Sequence, residues 1–223
     1  MQKELLKDAK YQTPNLTIPI EAIEQHGNLK VRGVIHVGAN YGEESNHYRT
    51  AGVDNVIWIE PLEFGFAQLG HLEELYGDKI FNCAISDYDG EAEMFHVHNE
   101  VSSSLLEVGR HNEFCLLHTV DKPKVKVYKL DTLIKKNNID INNYNMLNVD
   151  SQGAEHLVLS GCEENLDKMD VLYLELNEKD VYIGAKDKDE IIAGLREKHF
   201  TLTHGLQVNA LQYEGVFIHD RNL

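Results

Sequence analysis

The sequence has no apolar run of about 18 residues, so it predicts no membrane span. Its first ten residues, MQKELLKDAK, are polar and lack the apolar centre of a signal peptide. Basic residues are scarce. Against 37 Asp and Glu stand 21 Lys and Arg, a formal net charge of −16. Nucleic-acid binding needs a clustered basic surface, so this balance argues against a nucleic-acid partner, and it leaves anionic membranes unattractive. Cysteine is rare and odd in number. Cys83, Cys115 and Cys162 are widely spaced and form no C-x-x-C, which predicts reduced thiols and a cytoplasmic setting. No internal repeat, low-complexity tract or linker divides the chain. Its 223 residues suit one α/β domain and are short for two.

What is present is an alternation. Short β-branched runs, GVIHVG (33–38), NVIWIEP (55–61), KIFNCAIS (79–86), YNMLNVD (144–150) and DVLYLELN (170–177), read as buried strands. Helical patterns lie between them at 42–51, 62–77 (closed by Gly77), 153–162 and 188–200. Such alternation predicts a mostly parallel sheet with helices on both faces. Two further strands, 91–98 and 124–130, and a helix capped by Asp131 are expected between the third and fourth core strands. The irregular stretch 99–123 between them is long enough to be functional or mobile. TLTHG and YEGVFIHD, near the end, read as an antiparallel pair at the sheet edge. Residues 1–30 form a polar N-terminal extension, and 31–223 one domain.

In open α/β sheets, ligands sit at the carboxyl ends of the strands. The first strand leaves through Gly38-Ala39-Asn40-Tyr41-Gly42, where glycine allows positive φ and close backbone approach. The second ends in Glu60, about twenty residues on, the place of a carboxylate that grips a ribose diol. A dinucleotide would also need the helix N-terminus for its pyrophosphate. Here that helix is expected to open with Glu43 and Glu44, which repel phosphate and tolerate a cation. S-adenosylmethionine carries a ribose and a sulfonium and no phosphate, and so fits better than NAD. Topology places Ile85 and Ser86 near an adenine. Asp150 ends the fourth strand, Glu155 enters the next helix and Glu175 ends the fifth strand, so three acids reach one rim.

Taken in order, VIHVGANYGEES, VIWIEP, NCAISDYDG, SSSLL, YKLDTLI, MLNVDSQGAEHLVLSG and LYLELN resemble the FkbM-type S-adenosylmethionine-dependent methyltransferases over about residues 31–220. The resemblance implies a class I methyltransferase (Rossmann-like) sheet with a C-terminal antiparallel hairpin. It also implies O-methylation of a hydroxyl on a sugar, glycan or small natural product. By that likeness Gly38, Asn40 and Gly42 wrap the amino acid part of S-adenosylmethionine, and Glu60 its ribose. Three positions depart from the commonest family spelling: His36 for an acid, Asn148 for a lysine, and Gln152 for an acid in the D-x-E-G-x-E block. The neutral Gln152 puts a catalytic role at that position in doubt and weakens any metal site built there.

Asp150 is the expected proton acceptor for an acceptor hydroxyl. His36 reads as a strand residue below the pocket with no assigned role. Ser103 and Ser104, with Glu155 and Glu175, are candidate acceptor contacts. The run Ser102-Ser103-Ser104 lacks the G-x-S-x-G context of a hydrolase nucleophile. His96 and His98 share a strand face, but no third ligand can be placed, so no metal is expected. Two other classes stay open: an NAD-type oxidoreductase and a non-catalytic binding subunit of the methyltransferase fold. Nothing in the sequence supports an oligomer.

Overall fold

The computed structural model describes residues 20–112 and 116–223. Most of the expected N-terminal extension, and Cys115, lie outside the described residues. The first half comprises α1 (Ile20–His26), β1 (Gly33–Val37), α2 (Ser45–Thr50), β2 (Asn55–Ile59), α3 (Glu63–Tyr76), β3 (Lys79–Phe81), β4 (Ala84–Ile85), β5 (Gly90–Glu93) and β6 (His96–Val97). The second comprises β7 (Thr119–Asp121), β8 (Lys124–Tyr128), α4 (Leu130–Lys136), β9 (Met146–Val149), α5 (Glu155–Ser160), β10 (Val171–Asn177), α6 (Lys188–Glu197), β11 (Phe200–Gln207) and β12 (Gln212–His219).

Seven strands form the central sheet in the order β11-β12-β10-β9-β1-β2-β3. Only β12 runs against the others: it pairs antiparallel with both β10 and β11. The last strand is thus inserted inside the edge, and β11 is the edge itself. This is the class I methyltransferase sheet.

Alternation along each strand sorts side chains between two cores. Ile35, Ile57, Leu147, Leu172 and Leu174 fill one face. Val34, Val56, Met146 and Val171 fill the other, where Ile20 and Ile23 of α1 also pack. On that second face the register lines up Trp58, His36, Asn148 and Tyr173 across four adjacent strands.

Several local expectations change. The run 79–86 is two strands, because Asn82 turns back and donates to the Glu60 and Pro61 carbonyls at 3.1 and 3.2 Å. Its second half, β4, leaves the central sheet and pairs with β8, which also pairs with β5. The expected strand 91–98 is likewise broken into β5 and β6, and β6 pairs with β7. Asp131 does not cap α4, whose N-cap is Lys129. Its carboxylate instead accepts from the Glu164 N–H and the Asn165 amide, pinning the 160s turn. Finally, α2 begins at Ser45, so Glu43 and Glu44 precede the helix and do not occupy its first turn.

One glycine is required where β1 leaves the sheet. Gly38 has φ +80°, and a Cβ there would lie 1.7 Å from the Asp150 carbonyl oxygen. This close approach brings the exits of β1 and β9 together. Gly52 has nearly the same φ, +78°, but open space around it. Gly38→Ala should therefore cost several kcal/mol, while Gly52→Ala costs only the φ strain of about 1 kcal/mol. Chemical denaturation of both variants checks this; equal losses would show that the contact with Asp150 does not matter.

Candidate active site

A cavity of ≈ 810 Å³ opens at the carboxyl ends of β1, β2, β4 and β9. One part of its wall is apolar, with Leu62, Ala84, Ile85, Met94 and Leu105. Another is acidic, with Glu44, Asp150, Glu175 and Glu214. Among the described residues, no lysine or arginine lines it.

Glu60 is nearly inaccessible, 6% exposed. It links two turns: the Asn40 N–H donates to Oε2 at 2.9 Å and the Leu62 N–H to Oε1 at 2.8 Å. Each oxygen keeps a further acceptor site. Burial raises its pKa to about 7, against those two bonds, which hold it down. The Gly38 and Ala39 N–H groups both donate to the Ile59 carbonyl at 3.0 Å, so β2 anchors the glycine turn. Glu43 closes that turn by accepting from the Asn40 amide at 2.7 Å and the Tyr41 N–H at 3.2 Å. The Tyr41 hydroxyl donates to Glu100, tying the turn to the loop that carries the serine run.

Asp150 follows β9. Burial raises its pKa to about 6, Gln152 lowers it and the charge of Glu43 raises it further. Gln152 is the piece that the sequence reading left in doubt. Its Nε2 donates to Asp150 Oδ1 at 2.6 Å and to Glu175 Oε1 at 2.8 Å, and its Oε1 accepts from the Tyr182 hydroxyl at 2.6 Å. A neutral amide here holds two carboxylates that would otherwise repel each other. An acid at this position would add a third charge.

Of the residues expected to form the site, Gly38, Asn40, Glu60, Ile85, Ser103, Ser104, Asp150 and Glu175 line the cavity. Gly42, Ser86 and Glu155 are not in its wall. Gly42, at φ +75°, packs its open face on Leu69 and Leu72. Ser86 is fully buried beside Asp87. Glu155 is 1% exposed, and its Oε1 accepts from the Ser151 N–H, the Ser151 hydroxyl and the Gly153 N–H at 3.0–3.1 Å. It shapes the loop that presents Asp150. The Ser103 and Ser104 hydroxyls accept from the Val97 and Leu106 N–H groups at 3.0 Å, and the Ser104 hydroxyl donates to the Ser151 carbonyl at 3.3 Å.

His36 is part of the wall itself. The Tyr48 hydroxyl lies 3.1 Å from its Nδ1, and the Asn148 amide donates to that hydroxyl at 2.8 Å. Burial lowers the His36 pKa to about 3, so the ring is neutral. Sequence reasoning missed Glu214. The signal is register: β10 and β12 place Glu175 and Glu214 directly opposite each other. Like charges so paired destabilise a sheet. Among the described residues, no group of three or more His, Cys, Asp or Glu side chains is arranged to hold a metal ion. No helix among them is long and apolar enough to cross a membrane.

Sheet order, glycine turn and strand-end acids together define a methyltransferase. The chain matches the family model described as the methyltransferase FkbM domain over residues 36–202, and it belongs to that family, whose cofactor is S-adenosylmethionine. No curated protein matches it in sequence. Similar solved structures include a Burkholderia thailandensis 1,6-didemethyltoxoflavin-N1-methyltransferase with bound 1,6-didemethyltoxoflavin and S-adenosylhomocysteine. It is 12% identical, over 98% of this chain and 82% of that one, with a TM-score of 0.45. Magnesium protoporphyrin IX methyltransferase from Synechocystis PCC 6803, with bound cofactor, is 11% identical over 90% and 76%, with a TM-score of 0.48. A Pyrococcus horikoshii protein described as a putative RNA methyltransferase is 16% identical over 90% and 81%, with a TM-score of 0.45.

The wall acids carry a stability consequence. Burial first, and mutual repulsion with it, raises Glu60 and Glu214 to about 7 and Glu44 to about 8, and Glu175 well above its usual range. Their folded pKa values exceed the unfolded ones, so the stability they contribute is present below about pH 4 and is lost as pH rises through 7–8. Buried His36 and His111 and half-buried His156 are lowered, and their opposing effect ends near pH 6.5. The melting temperature of the ligand-free protein should therefore fall by several degrees between pH 6.5 and 8. A flat or rising profile by scanning calorimetry would contradict the burial of these acids.

Proposed function

We propose that the protein transfers the methyl group of S-adenosylmethionine to a hydroxyl of a small acceptor, a sugar, glycan or natural product. The observation that carries this is the meeting of the Gly38 turn, Glu60 and Asp150 in one cavity with an apolar and an acidic part. The residues fit the cofactor: a glycine turn lines the cavity where Gly38 packs against the Asp150 backbone, beside a buried acid suited to a ribose and acids with no competing lysine or arginine to oppose a sulfonium.

Gly38 and Asn40 hold the amino acid part. Glu60 accepts from the ribose hydroxyls through the acceptor sites that Asn40 and Leu62 leave open. Leu62, Ala84, Ile85 and Met94 supply the apolar wall that would take the adenine. When bound, the cofactor supplies an electrophilic methyl group on a sulfonium. The protein's share is alignment, exclusion of water and removal of a proton. Asp150 does the last. Its Oδ1 is held by Gln152, and Oδ2 is left for the acceptor hydroxyl. With a pKa of about 6, Asp150 is ionised at neutral pH and is a stronger base than an ordinary carboxylate.

Glu60→Ala should weaken S-adenosylhomocysteine binding roughly 10–100-fold, the worth of hydrogen bonds to a charged group. Asp150→Asn should lower kcat on the order of 100-fold with cofactor affinity nearly unchanged. Wild-type kcat/KM should rise as pH passes upward through about 6, the Asp150 value. The assay is transfer of an isotope-labelled methyl group to a panel of glycans and small hydroxylated metabolites. Undiminished turnover in Asp150→Asn would remove that residue as the base.

A further inference from the structure

His111 lines the cavity, 6% exposed, and takes no part in the cofactor contacts or in the proton transfer assigned to Asp150. It comes from the stretch between β6 and β7, and backbone pairing holds it in place. The Gly109 N–H donates to the Val181 carbonyl at 2.9 Å, the Arg110 N–H to the Asp180 carbonyl at 2.7 Å, and the Ile183 N–H to the Glu107 carbonyl at 2.8 Å. Those bonds set the imidazole edge-on to Tyr182, with ring centroids 5.7 Å apart. Tyr182 is itself fully buried, and it packs on Gly153, where a Cβ would lie 2.7 Å from the tyrosine ring.

A hydrogen-bond chain runs from Asp150 to His111, and its direction is fixed at the charged end. Above about pH 6 Asp150 is ionised and can only accept, so the nitrogen of the Gln152 amide faces it, at 2.6 Å. Protonation of Glu175 leaves this direction unchanged, because an amide nitrogen has no lone pair to offer it. Gln152 Oε1 is left as an acceptor, 2.6 Å from the Tyr182 oxygen, a separation that needs the phenol proton between them. The Ser102 carbonyl, at 3.3 Å, is the weaker claimant for that proton. Burial keeps the phenol protonated. With its one proton spent, the Tyr182 oxygen can only accept from His111 Nδ1, 3.2 Å away. Burial also lowers the His111 pKa, so the ring is neutral at physiological pH and its single proton sits on Nδ1. Nε2 is then a bare lone pair. It bonds to no described residue, and it is not sealed from open space.

Resting on the methyl-transfer reading above, we propose that His111 is a binding residue of the acceptor subsite: its bare Nε2 accepts a hydrogen bond from a second donor group of the acceptor, a hydroxyl or N–H carried in addition to the hydroxyl presented to Asp150. The chain through Tyr182 and Gln152 fixes the tautomer that makes this contact. An acceptor without the second donor forfeits it and is discriminated against.

The test is nitrogen NMR of the imidazole rings in labelled protein saturated with S-adenosylhomocysteine at neutral pH. The His111 signals are assigned by their loss in His111→Gln, and S-adenosylhomocysteine binding reports that each variant is folded. Wild type should show a protonated Nδ1 and a bare Nε2. Tyr182→Phe removes the partner of the Nδ1 proton, and its His111 should turn largely to the Nε2-protonated form that free histidine favours. Titration with 1,2-cyclohexanediol should shift the wild-type Nε2 signal upfield, and 1,2-dimethoxycyclohexane, which has no donor, should leave it in place. With a hydroxylated acceptor that the labelled-methyl panel identifies, His111→Gln should raise KM roughly tenfold with kcat little changed. A protonated Nε2 in wild type would overturn the proposal, as would an Nε2 signal that both probes move alike or that neither moves. A fall in kcat with KM unchanged would also overturn it. If S-adenosylhomocysteine fails to bind the wild-type protein, the methyl-transfer reading falls first and the subsite with it.

Discussion

Seven acidic side chains converge on one cavity that no described lysine or arginine enters. That constraint organises the rest of the site. Carboxylates withdrawn from water need hydrogen-bond donors, a positive ligand or a proton. Backbone N–H groups meet the need at Glu60 and Glu155, the Gln152 amide at Asp150 and Glu175, and a tyrosine hydroxyl at Glu214. The surplus of acids over basic groups in the wall suits a positively charged ligand. Where donors fall short, burial raises the pKa, and ionising these acids costs folding stability.

The sheet makes that convergence geometrically possible. Gly38 lets the β1 exit touch the Asp150 carbonyl, and Glu60 ties the same turn to the start of α3. The antiparallel β12, placed between β10 and β11, then delivers Glu214 opposite Glu175. A purely parallel edge strand would have offered the cavity its other end. The wall acids therefore come from strands far apart in sequence, each held by a register that its own buried face fixes.

Much of this was legible in the sequence because it is local. The core strands, the glycine turn, Glu60 and Asp150 follow from short apolar runs and their exits. The family resemblance added the sheet order and the cofactor, which no single motif specifies. What escaped was non-local. Glu214 looks like an ordinary strand-face acid until its partner strand is known. Gln152 looked like a lost carboxylate, and its bridging amide became visible only once Glu175 was beside it. His36 seemed to lie beneath the pocket, whereas the row from Trp58 to Tyr173 carries it into the wall. Strand breaks at Asn82 and between β5 and β6 were hidden because continuous apolar patterning continues across them. The helix was expected to start two residues early, since acids before a helix and acids in its first turn look alike in sequence.

The central claim is that this acidic, phosphate-averse cavity holds S-adenosylmethionine. Isothermal titration of the purified protein with S-adenosylhomocysteine, and in parallel with NADH, tests it most directly. S-adenosylhomocysteine should bind stoichiometrically and NADH should not bind. Tight NADH binding with no S-adenosylhomocysteine signal would contradict it.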